Sequence, residues 1–538
     1  MMTTVRDEHP KSLSKIFEPL AIDSLDNNGL ALAAKQAASK CTHPSLIEVI
    51  IRQNADLKPS TLRHANIAKL GTPKTIAVIA GQQAGLFLGP LYTFYKACSC
   101  IALAKHLELI SGIPTVPIFW IQDEDHDFAE INHCWIPNMN GDAVRLELLG
   151  DKKSDYLSRV SVKYRTINSD IEPLLDIVKT EYQALPFTTE IIEQIEACYK
   201  SGKSISDAFR EFLGLVFADD GLVLFSPRDA AVSNLLSPIF ELSLEKHAQI
   251  AQALIEQTAK LTKYCVDNVV HIRENSPLFF FHKGGADGPR YRLSEDLHSW
   301  NLIGGNCSIS NSELIAFLKK EPLRFSTSAL LRPIAQDYLF PTVAQIAGPS
   351  EINYLAQMRP LYDIFALNKP LIVPRPSILC LEPKIRRKLS QLGLTASDLA
   401  LSETDLLKKV AQTHSSPAQE PAHLENQILA QIEKALEFYK MAASSVDETL
   451  LGALARTSQK IANQVHVLVQ RYEEAFLRLD DMHKSRLKQI RNALMPNDMH
   501  QERVFSPLYF LCKYGYSFKN RLIETINPLS RQNYELDL

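Results

Sequence analysis

The sequence predicts an α/β protein whose core is a parallel β-sheet of the nucleotide-binding type, extended by a long α-helical coiled-coil arm. Short, continuously apolar and β-branched runs alternate with helical patterns along most of the chain. This is typical of strands that are buried on both faces of a parallel sheet. From Lys384 onward the pattern becomes purely helical and includes a heptad repeat, which predicts the arm.

Length, charge and cysteine usage limit the class of protein. The 538 residues are too many for one hydrophobic core, and a net charge of −3 without a strongly basic half argues against a dedicated nucleic-acid binder. The N-terminus lacks the apolar segment of a signal peptide, and no stretch approaches the roughly 20 apolar residues of a membrane span. The nine cysteines fit neither a disulfide framework nor a zinc pattern, so we expect a reducing cytosol.

The apolar runs define the core. A strand at 75–80, a helix at 91–109 and a strand at 115–121 form a βαβ unit, and further core strands are expected near 221–227 and 371–375. Alternating patterns at 144–148 and 159–164 predict half-exposed strands of an insertion. The expected organisation is N-terminal helices and the first core half at 1–139, a connecting insertion at 140–215, core at 216–265, a second insertion at 266–325, core at 326–383, the coiled-coil domain at 384–495 and a C-terminal segment that docks on the core at 496–538.

The coiled-coil prediction rests on a run of positions spaced alternately by four and three residues. They are 461, 465, 468, 472, 475, 479 and 482, an a/d seam over about three heptads. Two long helices packed as an antiparallel arm, or pairing with a second subunit, would bury this seam. The alternative is an ordinary amphipathic bundle helix. Ser415-Ser416-Pro417 marks the expected break before the second long helix.

The first candidate site is the loop at 81–90, between a buried strand and a helix. Glycines let the backbone approach a ligand, and a helix N-terminus attracts phosphate or carboxylate groups. The loop matches neither a Walker A motif nor a dinucleotide-binding fingerprint, and a tight structural turn is the alternative. The candidate ligand-binding residues here are Gly81, Gln82, Gln83, Gly85, Gly89, Pro90 and, within the helix, Lys96.

The second candidate is an acidic segment with one histidine directly after the strand at 115–121. Four carboxylates so close together repel one another and raise one another's pKa. Such a group can orient an amine, hold Mg²⁺ or supply a general base, whereas a solvated acidic turn is the alternative. We expect no metal held by protein alone, since one short loop rarely supplies a whole coordination sphere. The candidate catalytic residues are Asp123, Glu124, Asp125, His126 and Asp127, with Asn132 close in sequence.

A third group of polar residues lies near the ends of later core strands. A Gly-Pro pair at 348–349 follows an apolar run as the first loop does, and a helix is expected to begin near Ser350, whose side chain would cap it. An arginine at a strand end can grip a carboxylate with its planar fork. Helix caps and a surface salt bridge are the alternatives. The candidates are Gln336, Asp337, Gly348, Glu351 and Arg375.

The same segments resemble one family over nearly the whole chain, the bacillithiol-biosynthesis cysteine-adding enzymes, or BshC-like cysteine ligases. The first part of the resemblance is carried by Gly81-Gln82-Gln83-Ala84-Gly85-Leu86, Gly89-Pro90-Leu91-Tyr92-Thr93, Phe119-Trp120-Ile121, Glu124-Asp125-His126-Asp127-Phe128 and Glu130-Ile131-Asn132-His133. Its later part comprises Arg332-Pro333, Gln336-Asp337-Tyr338, Gly348-Pro349 with Glu351-Ile352, Pro374-Arg375, Gln501-Glu502-Arg503-Val504 and Tyr509-Phe510-Leu511, in the expected order.

The resemblance implies a Rossmann-like core with connecting insertions, a coiled-coil arm and a homodimer. It adds Tyr92, Gln501 and Arg503 to the candidate binding residues. It also implies that cysteine is joined to the amine of glucosaminyl-malate. Because forming an amide from a free carboxylate in water is uphill, activation by ATP with Mg²⁺ is expected on chemical grounds, without a nucleotide motif. A pre-activated cysteine donor would fit the same residues, and the other classes left open are a scaffold or sensor that binds a nucleotide or sugar acid, and a metal-dependent hydrolase.

Overall fold

A computed structural model of the chain describes residues 26–149, 156–263, 266, 270–297, 299–414, 421–478, 481–530 and 534–538. The chain folds into two compact units. Unit 1 takes in the described parts of 1–139, 143–379 and 502–536. Unit 2 takes in the described parts of 140–142, 380–501 and 537–538. The boundaries predicted for the two insertions within the core stay predictions.

The strands agree closely with the apolar runs of the sequence. They are β1 (Ile76–Gln82), β2 (Thr115–Ile121), β3 (His133–Pro137), β4 (Ala143–Glu147), β5 (Val223–Phe225), β6 (Phe279–His282), β7 (Arg290–Asp296), β8 (Ser299–Leu302), β9 (Cys307–Ser310), β10 (Phe325–Thr327), β11 (Thr342–Ala347), β12 (Leu371–Pro374), β13 (Ile378–Leu381) and β14 (Tyr534–Asp537). The core strands predicted at 75–80, 115–121, 221–227 and 371–375 are therefore confirmed, as is the alternating strand at 144–148.

Helices account for most of the remaining described chain. In the first half they are α1 (Asn27–Ala37), α2 (Pro44–Asn54), α3 (Thr61–Leu70), α4 (Leu91–Ser111), α5 (Phe128–Ile131), α6 (Ile171–Tyr182), α7 (Thr188–Cys198), α8 (Ile205–Val216), α9 (Ala230–Glu245), α10 (His247–Thr262) and α11 (Asn311–Lys320). In the second half they are α12 (Arg332–Leu339), α13 (Pro349–Met358), α14 (Leu361–Ile364), α15 (Pro383–Gln391), α16 (Glu403–His414), α17 (Pro421–Val446), α18 (Thr449–Arg478), α19 (Asp481–Leu494), α20 (Gln501–Val504), α21 (Leu508–Tyr514) and α22 (Ser517–Thr525).

The centre of unit 1 is a five-stranded, fully parallel sheet with the order β12-β11-β1-β2-β5. Counted along the chain, its strands lie in the order 5-4-1-2-3, which is the strand order of one dinucleotide-binding half extended across the switch point of a Rossmann-like sheet. β1 pairs with β2 in continuous register from Ile76 opposite Thr115 to Gln82 opposite Ile121. The expected Rossmann-like parallel-sheet core is thus confirmed.

Burial explains why these segments became strands of a parallel sheet. Every residue of β2 is buried, and so are all of β1 except its last. Both faces of the sheet are therefore covered, as the unbroken apolar runs predicted. Helix α4, which connects the two strands, is also buried over most of its length and includes Cys98 and Cys100, as expected for small apolar residues. It ends at Gly112, whose φ of +66° provides the left-handed C-cap.

A second, antiparallel sheet with the order β10-β6-β7-β8-β9 also belongs to unit 1. Phe280 lies opposite Arg292, and His282 lies opposite Arg290, so these four side chains share one face of the sheet. His282 is fully buried between the carbonyl oxygen of Gly288 and the hydroxyl of Ser326. The turn after β6 is therefore an ordinary hairpin.

The segment at 159–164 was expected as a strand, and this prediction is wrong. It forms two short 3₁₀ turns. The backbone N–H groups of Val162 and Lys163 donate to the carbonyl oxygens of Asp125 and Asp123, at 2.6 and 3.0 Å. The alternating pattern predicted a strand that does not form. Two of the backbone N–H groups that would pair with a neighbouring strand are hydrogen-bonded to the acidic loop after β2 instead.

The predicted serine cap at the start of α13 is also wrong. The helix begins at Pro349, one residue before Ser350, and its N-cap is Gly348. The carboxylate of Glu351, three residues on, accepts a hydrogen bond from the backbone N–H of Gly348 at 2.8 Å. A glutamate at the third helical position is the second half of a capping box, so it can satisfy the cap on its own.

Unit 2 contains the coiled-coil domain. Helices α17 and α18 are joined by two residues and pack as an antiparallel pair, and His466 Nδ1 lies 3.0 Å from Glu425 Oε1 across them. Of the predicted seam, Val465 is buried, but Leu468 and Met482 are 62% and 58% exposed. The antiparallel arm is confirmed, but its own packing does not bury the seam. Position 479 and the predicted break at 415–417 lie outside the described residues.

Candidate active site at the carboxyl edge of the parallel sheet

The candidate site lies where the strand order of the parallel sheet reverses, between β1 and β11. In open α/β sheets, ligands bind outside the carboxyl ends of the strands at this point. The loops that follow β1, β2, β11 and β12 all leave from this edge. The structure therefore brings together the first loop at 81–90, the acidic loop at 123–127, the start of α13 and Arg375, which the sequence distributes over almost 300 residues.

The loop after β1 is a tight turn that closes on two glycines. A Cβ on Gly85 would lie 2.9 Å from Gly89 Cα, and Gly89 itself has φ +63° with ψ −155°, a conformation favoured only by glycine. Pro90 is the N-cap of α4, and the first helical N–H, that of Leu91, donates to the carbonyl oxygen of Phe505 at 2.7 Å. That N–H is thus bound by the protein itself and is not available to a ligand.

Lys96 is the buried centre of the site. Its ammonium group donates to the carbonyl oxygen of Gly81 at 2.9 Å and to Gln82 Oε1 at 2.8 Å, and it forms an ion pair with Glu351. Burial lowers the pKa of Lys96, although Glu351 opposes the shift. Burial alone would raise the pKa of Glu351, but Lys96 and Arg332 outweigh it, so the net shift is downward. The carboxylate is therefore held ionised between two cations.

Arg332 extends this cluster on the side of α12 and α13. Its guanidinium donates to the hydroxyl of Tyr354 at 2.8 Å and to Gln336 Oε1 at 3.2 Å. Tyr354 in turn donates to Glu351 at 3.3 Å, and burial raises the pKa of this tyrosine to about 12. A continuous chain of polar side chains therefore runs from Lys96 through Glu351 to Gln336, and it fixes the geometry of the cations.

Arg375 directly follows β12 and is held by a buried carboxylate that the sequence does not place near it. Its two terminal nitrogens donate to both oxygens of Glu502, at 2.9 and 2.7 Å, with side-chain exposures of only 4% and 6%. Its guanidinium carbon lies 5.7 Å from the ring centre of Tyr92. Within the described chain Arg375 Nε is buried without a hydrogen-bond partner, 4.0 Å from the place of a Cβ on Gly348. A donor there is suited to an anionic group.

The acidic loop divides into a buried part and a part that faces the site. Asp123 is fully buried and accepts hydrogen bonds from the hydroxyls of Ser206 at 2.8 Å and Ser226 at 2.6 Å. Glu124 is buried and accepts from the hydroxyl and the N–H of Thr327. The pKa of both carboxyl groups is raised by burial, and not by the mutual repulsion that the sequence suggested. Both side chains anchor the loop, and a catalytic role for either stays a prediction.

Asp125 and His126 form the accessible part of the loop. Asp125 Oδ1 accepts the backbone N–H of His126 at 2.7 Å and lies 3.3 Å from His126 Nδ1, while Oδ2 accepts from Gln83 Nε2 at 2.9 Å. Burial alone would raise the pKa of Asp125, but the hydrogen bond with His126 and the charge of Arg290 outweigh it, and the net shift is downward. Gln83 also donates to Glu130 at 2.6 Å, so it joins the first and second candidate loops.

The remaining predicted residues lie in supporting positions. Asp127 accepts from the N–H of Glu130 at 3.3 Å and caps α5, and Asn132 donates to the carbonyl oxygen of Leu148 at 3.0 Å. Asp337 is buried and accepts from Gln345 at 2.8 Å and from Tyr362 at 2.5 Å. In unit 2, Gln501 donates to the carbonyl oxygens of Cys380 and Ala493. Arg503 is exposed. Ligand-binding roles for Asn132, Gln336, Asp337, Gln501 and Arg503 therefore stay predictions.

Some residues that the sequence analysis did not select take part in the site from distant elements. Arg290 contacts the acidic loop from the antiparallel sheet, Thr327 binds Glu124, and Glu502 binds Arg375. A buried arginine or glutamate is costly unless it is paired, but the sequence does not reveal burial of a single charged residue. The only local signal was the alternation around Arg290, which indicates a strand and not a contact with Asp125.

The described residues lack a preformed metal site and a membrane-spanning helix. No group of three or more histidine, cysteine, aspartate or glutamate side chains is arranged to hold a metal ion. Among the described helices, none combines the length and the apolar character needed to cross a membrane.

Comparison with known proteins gives consistent matches along the chain. The family model described as "Bacillithiol biosynthesis BshC, N-terminal Rossmann-like domain" matches residues 8–376. The model described as "Bacillithiol biosynthesis BshC, C-terminal coiled-coil domain" matches residues 378–537. Together the two models cover nearly all of the sequence, and they meet where the parallel-sheet core gives way to the helical region.

Curated relatives match over the same extent. A protein of Salinibacter ruber is 32% identical over 492 residues, which cover 90% of this chain and 87% of the relative. One from Geobacillus sp. (strain WCH70) is 29% identical over 485 residues, covering 89% and 87%. Both bear the name "Putative cysteine ligase BshC". A solved structure titled as that of a "putative arginyl t-RNA synthetase" from Campylobacter jejuni is 10% identical, covers 89% of this chain and 100% of that chain, and has a TM-score of 0.22, too low to support an argument.

Proposed function

The chain belongs to the bacillithiol-biosynthesis BshC family, and from this premise we propose that it is an amide-forming ligase that joins the carboxyl group of cysteine to the glucosamine amine of glucosaminyl-malate. The names of its relatives support cysteine ligation in bacillithiol biosynthesis. The observation that carries the more specific proposal is the arrangement at the sheet edge. An ionised Asp125 beside His126 adjoins, through Gln83, the loop whose backbone and glutamine bind the buried cation Lys96.

The reaction requires a proton acceptor at the amine. The amine nitrogen forms a bond to the cysteine carboxyl carbon, the bond from that carbon to its leaving oxygen breaks, and the nitrogen gives up a proton. His126 is suited to accept that proton because an imidazole nitrogen can act as a general base, and because Asp125 Oδ1 lies 3.3 Å from Nδ1, where its negative charge stabilises the imidazolium that forms. The side chain is 36% exposed, so the ring is accessible from solvent.

The cations of the site suit the negative charge of the other reactant. ATP, when bound with Mg²⁺, would supply the activation that a free carboxylate needs. The unpaired, buried Arg375 Nε fits an anionic group of this kind, and Lys96 and Arg375 would neutralise charge on a phosphate or carboxylate. Mg²⁺ usually binds through one or two carboxylates together with substrate phosphates, so it needs no three-residue cluster. A cysteine donor that is already activated would use the same cations.

The arm supports a further part of the proposal, a homodimer. Phe438 in α17 and Leu468 in α18 are 74% and 62% exposed, and Met441 in α17 is 65% exposed. Apolar side chains at this density on one helix pair are typical of a coiled-coil surface that another chain covers. We propose that the second chain is a copy of this protein.

The proposal is tested by mass spectrometry of the product. Purified protein is incubated with cysteine, glucosaminyl-malate, Mg²⁺ and ATP, and in parallel without ATP. We expect ATP-dependent formation of the cysteinyl amide, and a fall of about 10²–10⁴-fold in kcat for His126→Gln, the usual contribution of a general base. His106→Gln is the matched control, since this histidine binds Asn27 away from the sheet edge and its loss should leave the rate unchanged.

The alternatives give different results in the same assay. If product forms only from a thioester or another activated form of cysteine, the acyl donor is pre-activated and ATP is not used. Binding of glucosaminyl-malate without any turnover would favour a sensor or scaffold. Chelator-sensitive hydrolysis would favour a metal-dependent hydrolase. Equal rates for wild type and His126→Gln would remove His126 from the reaction.

A further inference from the structure

Arg290 reaches the acidic loop from a different part of the fold. It begins β7 of the antiparallel sheet and is 4% exposed. Its Nη1 donates to the carbonyl oxygen of Glu124 at 2.7 Å and to Asp125 Oδ1 at 3.2 Å, and its Nη2 donates to the carbonyl oxygen of Thr327 at 3.2 Å. One guanidinium thus joins the acidic loop to the end of β10, which precedes the return of the chain to the parallel sheet.

The plane of this guanidinium is fixed by an aromatic ring. The guanidinium carbon of Arg290 lies 3.8 Å from the ring centre of Phe280, on the neighbouring strand β6. Stacking on an aromatic face and a rigid fork of donors are properties of arginine that lysine lacks. Burying a guanidinium is costly, so this position is maintained by its specific contacts and not by general packing.

These contacts converge on the carboxylate that faces His126. Asp125 Oδ1 receives the Arg290 guanidinium and the backbone N–H of His126, and it lies 3.3 Å from His126 Nδ1. The other oxygen accepts from Gln83. Because both oxygens are occupied, Asp125 has little freedom to turn away from the imidazole, and Arg290 supplies the charge that favours its ionised form.

We propose that Arg290 is the positioning residue of the Asp125–His126 pair, and that through it the antiparallel sheet is a working part of the active site. The geometric part of this inference stands by itself, whereas its effect on turnover rests on the proposed function. Arg290 touches neither reacting group. It acts by keeping Asp125 ionised and turned towards His126 Nδ1.

The surroundings of Asp125 allow this effect to be separated from others. Its charged and titratable neighbours are Arg290 on β7, Glu124 and His126 on its own loop, and Glu130 on the other side of Gln83. Arg292 lies on the same face of β7, and its guanidinium carbon is 5.9 Å from the same Phe280 ring, but its side chain is exposed. Arg292→Met is therefore a matched control that removes a nearby cation without removing the clamp.

Two substitutions separate charge from geometry. Arg290→Met removes both, so kcat should fall by at least about 10-fold, and the pKa of the Asp125 carboxyl should rise because one of the interactions that lower it is lost. Arg290→Lys keeps the charge but not the fork, so kcat should fall by at least about 10-fold while the pKa of Asp125 stays in place, since small misplacements of catalytic groups cost up to about 10²-fold. Arg292→Met should change neither parameter.

A double-mutant cycle tests whether Arg290 acts through Asp125. In an Asp125→Asn background, Arg290→Met should lower kcat/KM by less than about 2-fold, because the group through which it acts is already neutral. Additive losses in the double variant, with the thermal transition of each variant retained, would overturn the proposal and leave Arg290 a structural residue. So would an unchanged kcat in Arg290→Lys.

A measurement without turnover keeps this inference separate from the proposed reaction. The carboxyl carbon of Asp125 is followed by NMR in protein labelled with carboxyl-¹³C aspartate, and its signal is assigned by its absence from Asp125→Asn. A higher titration midpoint in Arg290→Met, but not in Arg290→Lys or Arg292→Met, supports the clamp even if no cysteinyl product forms. The same midpoint in all four proteins would refute it even if the ligase assay succeeds. If Arg290→Met does not fold, Arg290→Lys decides the question. A lower kcat with an unchanged titration midpoint of Asp125 supports the clamp, and an unchanged kcat refutes it.

Discussion

Charged side chains of the site are buried in pairs. Lys96 is matched by Glu351, and Arg375 by Glu502, each inside the protein. Removing a charge from water costs several kcal/mol, and this is repaid only when the partner and its hydrogen bonds are well placed. The cations are therefore held in position before any substrate binds, which is the condition for stabilising negative charge without rearrangement during the reaction.

The pair between Arg375 and Glu502 gives a stability prediction at the residue scale. Glu502→Leu leaves a buried guanidinium without its carboxylate, so the free energy of unfolding should fall by about 3–5 kcal/mol. The double variant Arg375→Met/Glu502→Leu removes both charges and should recover most of this loss. Urea denaturation followed by circular dichroism measures both. A double variant as unstable as the single one would show that the pair acts through packing and not through charge.

At the scale of elements, the ends of helices and strands carry the polar contacts. The N-terminal segment contributes Lys40, whose ammonium group donates to the backbone carbonyl oxygens of Asp337, Tyr338 and Phe340, the last at 3.2 Å. These carbonyls lie at the C-terminal end of α12, where intrahelical partners are missing and the helix dipole is negative. A lysine from a distant segment thus satisfies the end of the helix that carries Arg332.

The pKa of Lys40 predicts a pH dependence of stability. Burial lowers this pKa to about 8 from the ordinary 10.5, with Asp337 opposing the shift. Between pH 8 and 10.5 the folded protein releases a proton that the unfolded chain still holds, so stability rises with pH in this window. We expect the free energy of unfolding of the wild type, relative to Lys40→Met, to increase from pH 8 to 10.5. The control Lys35→Met, which alters an exposed lysine of α1, should differ from the wild type by a constant amount.

At the scale of the whole molecule, the chain combines a Rossmann-like unit with a helical unit, and each corresponds to one of the two matched domain families. The helical unit carries an antiparallel pair whose exposed apolar residues include Phe438 and Leu468. These apolar side chains are exposed in the single chain, so burying them against a second chain would stabilise the association.

The proposed homodimer is tested by replacing these residues with charged ones. We expect a wild-type mass of about twice 60.4 kDa in sedimentation equilibrium and a monomer for Phe438→Glu/Leu468→Glu, because burying unpaired carboxylates opposes association. Replacing Leu109, which is 82% exposed on α4 of unit 1, with glutamate is the control and should leave the mass unchanged. A monomeric wild type at micromolar concentration would contradict the proposal.

The sequence by itself determined the elements and the class of the fold. Apolar runs and heptad spacing are local signals, because a strand buried on both faces or a helix seam needs apolar residues at regular intervals. They located β1, β2 and α4, and the motifs at 81–90 and 123–127 identified both the family and the strand ends that meet. The failed strand at 159–164 shows the limit of local signals, since the backbone there binds the loop at Asp123 and Asp125.

Only the tertiary structure decided which side chains face one another and which are buried. Arg290 contacts Asp125 across 165 residues of sequence, and Glu502 binds Arg375 across 127. Nothing in the local pattern distinguishes these charged residues from solvated ones, because the energy that selects them comes from burial and pairing after the chain has folded. For the same reason the acidic loop, uniform in sequence, divides into a buried anchor at Asp123 and a more accessible pair at Asp125 and His126.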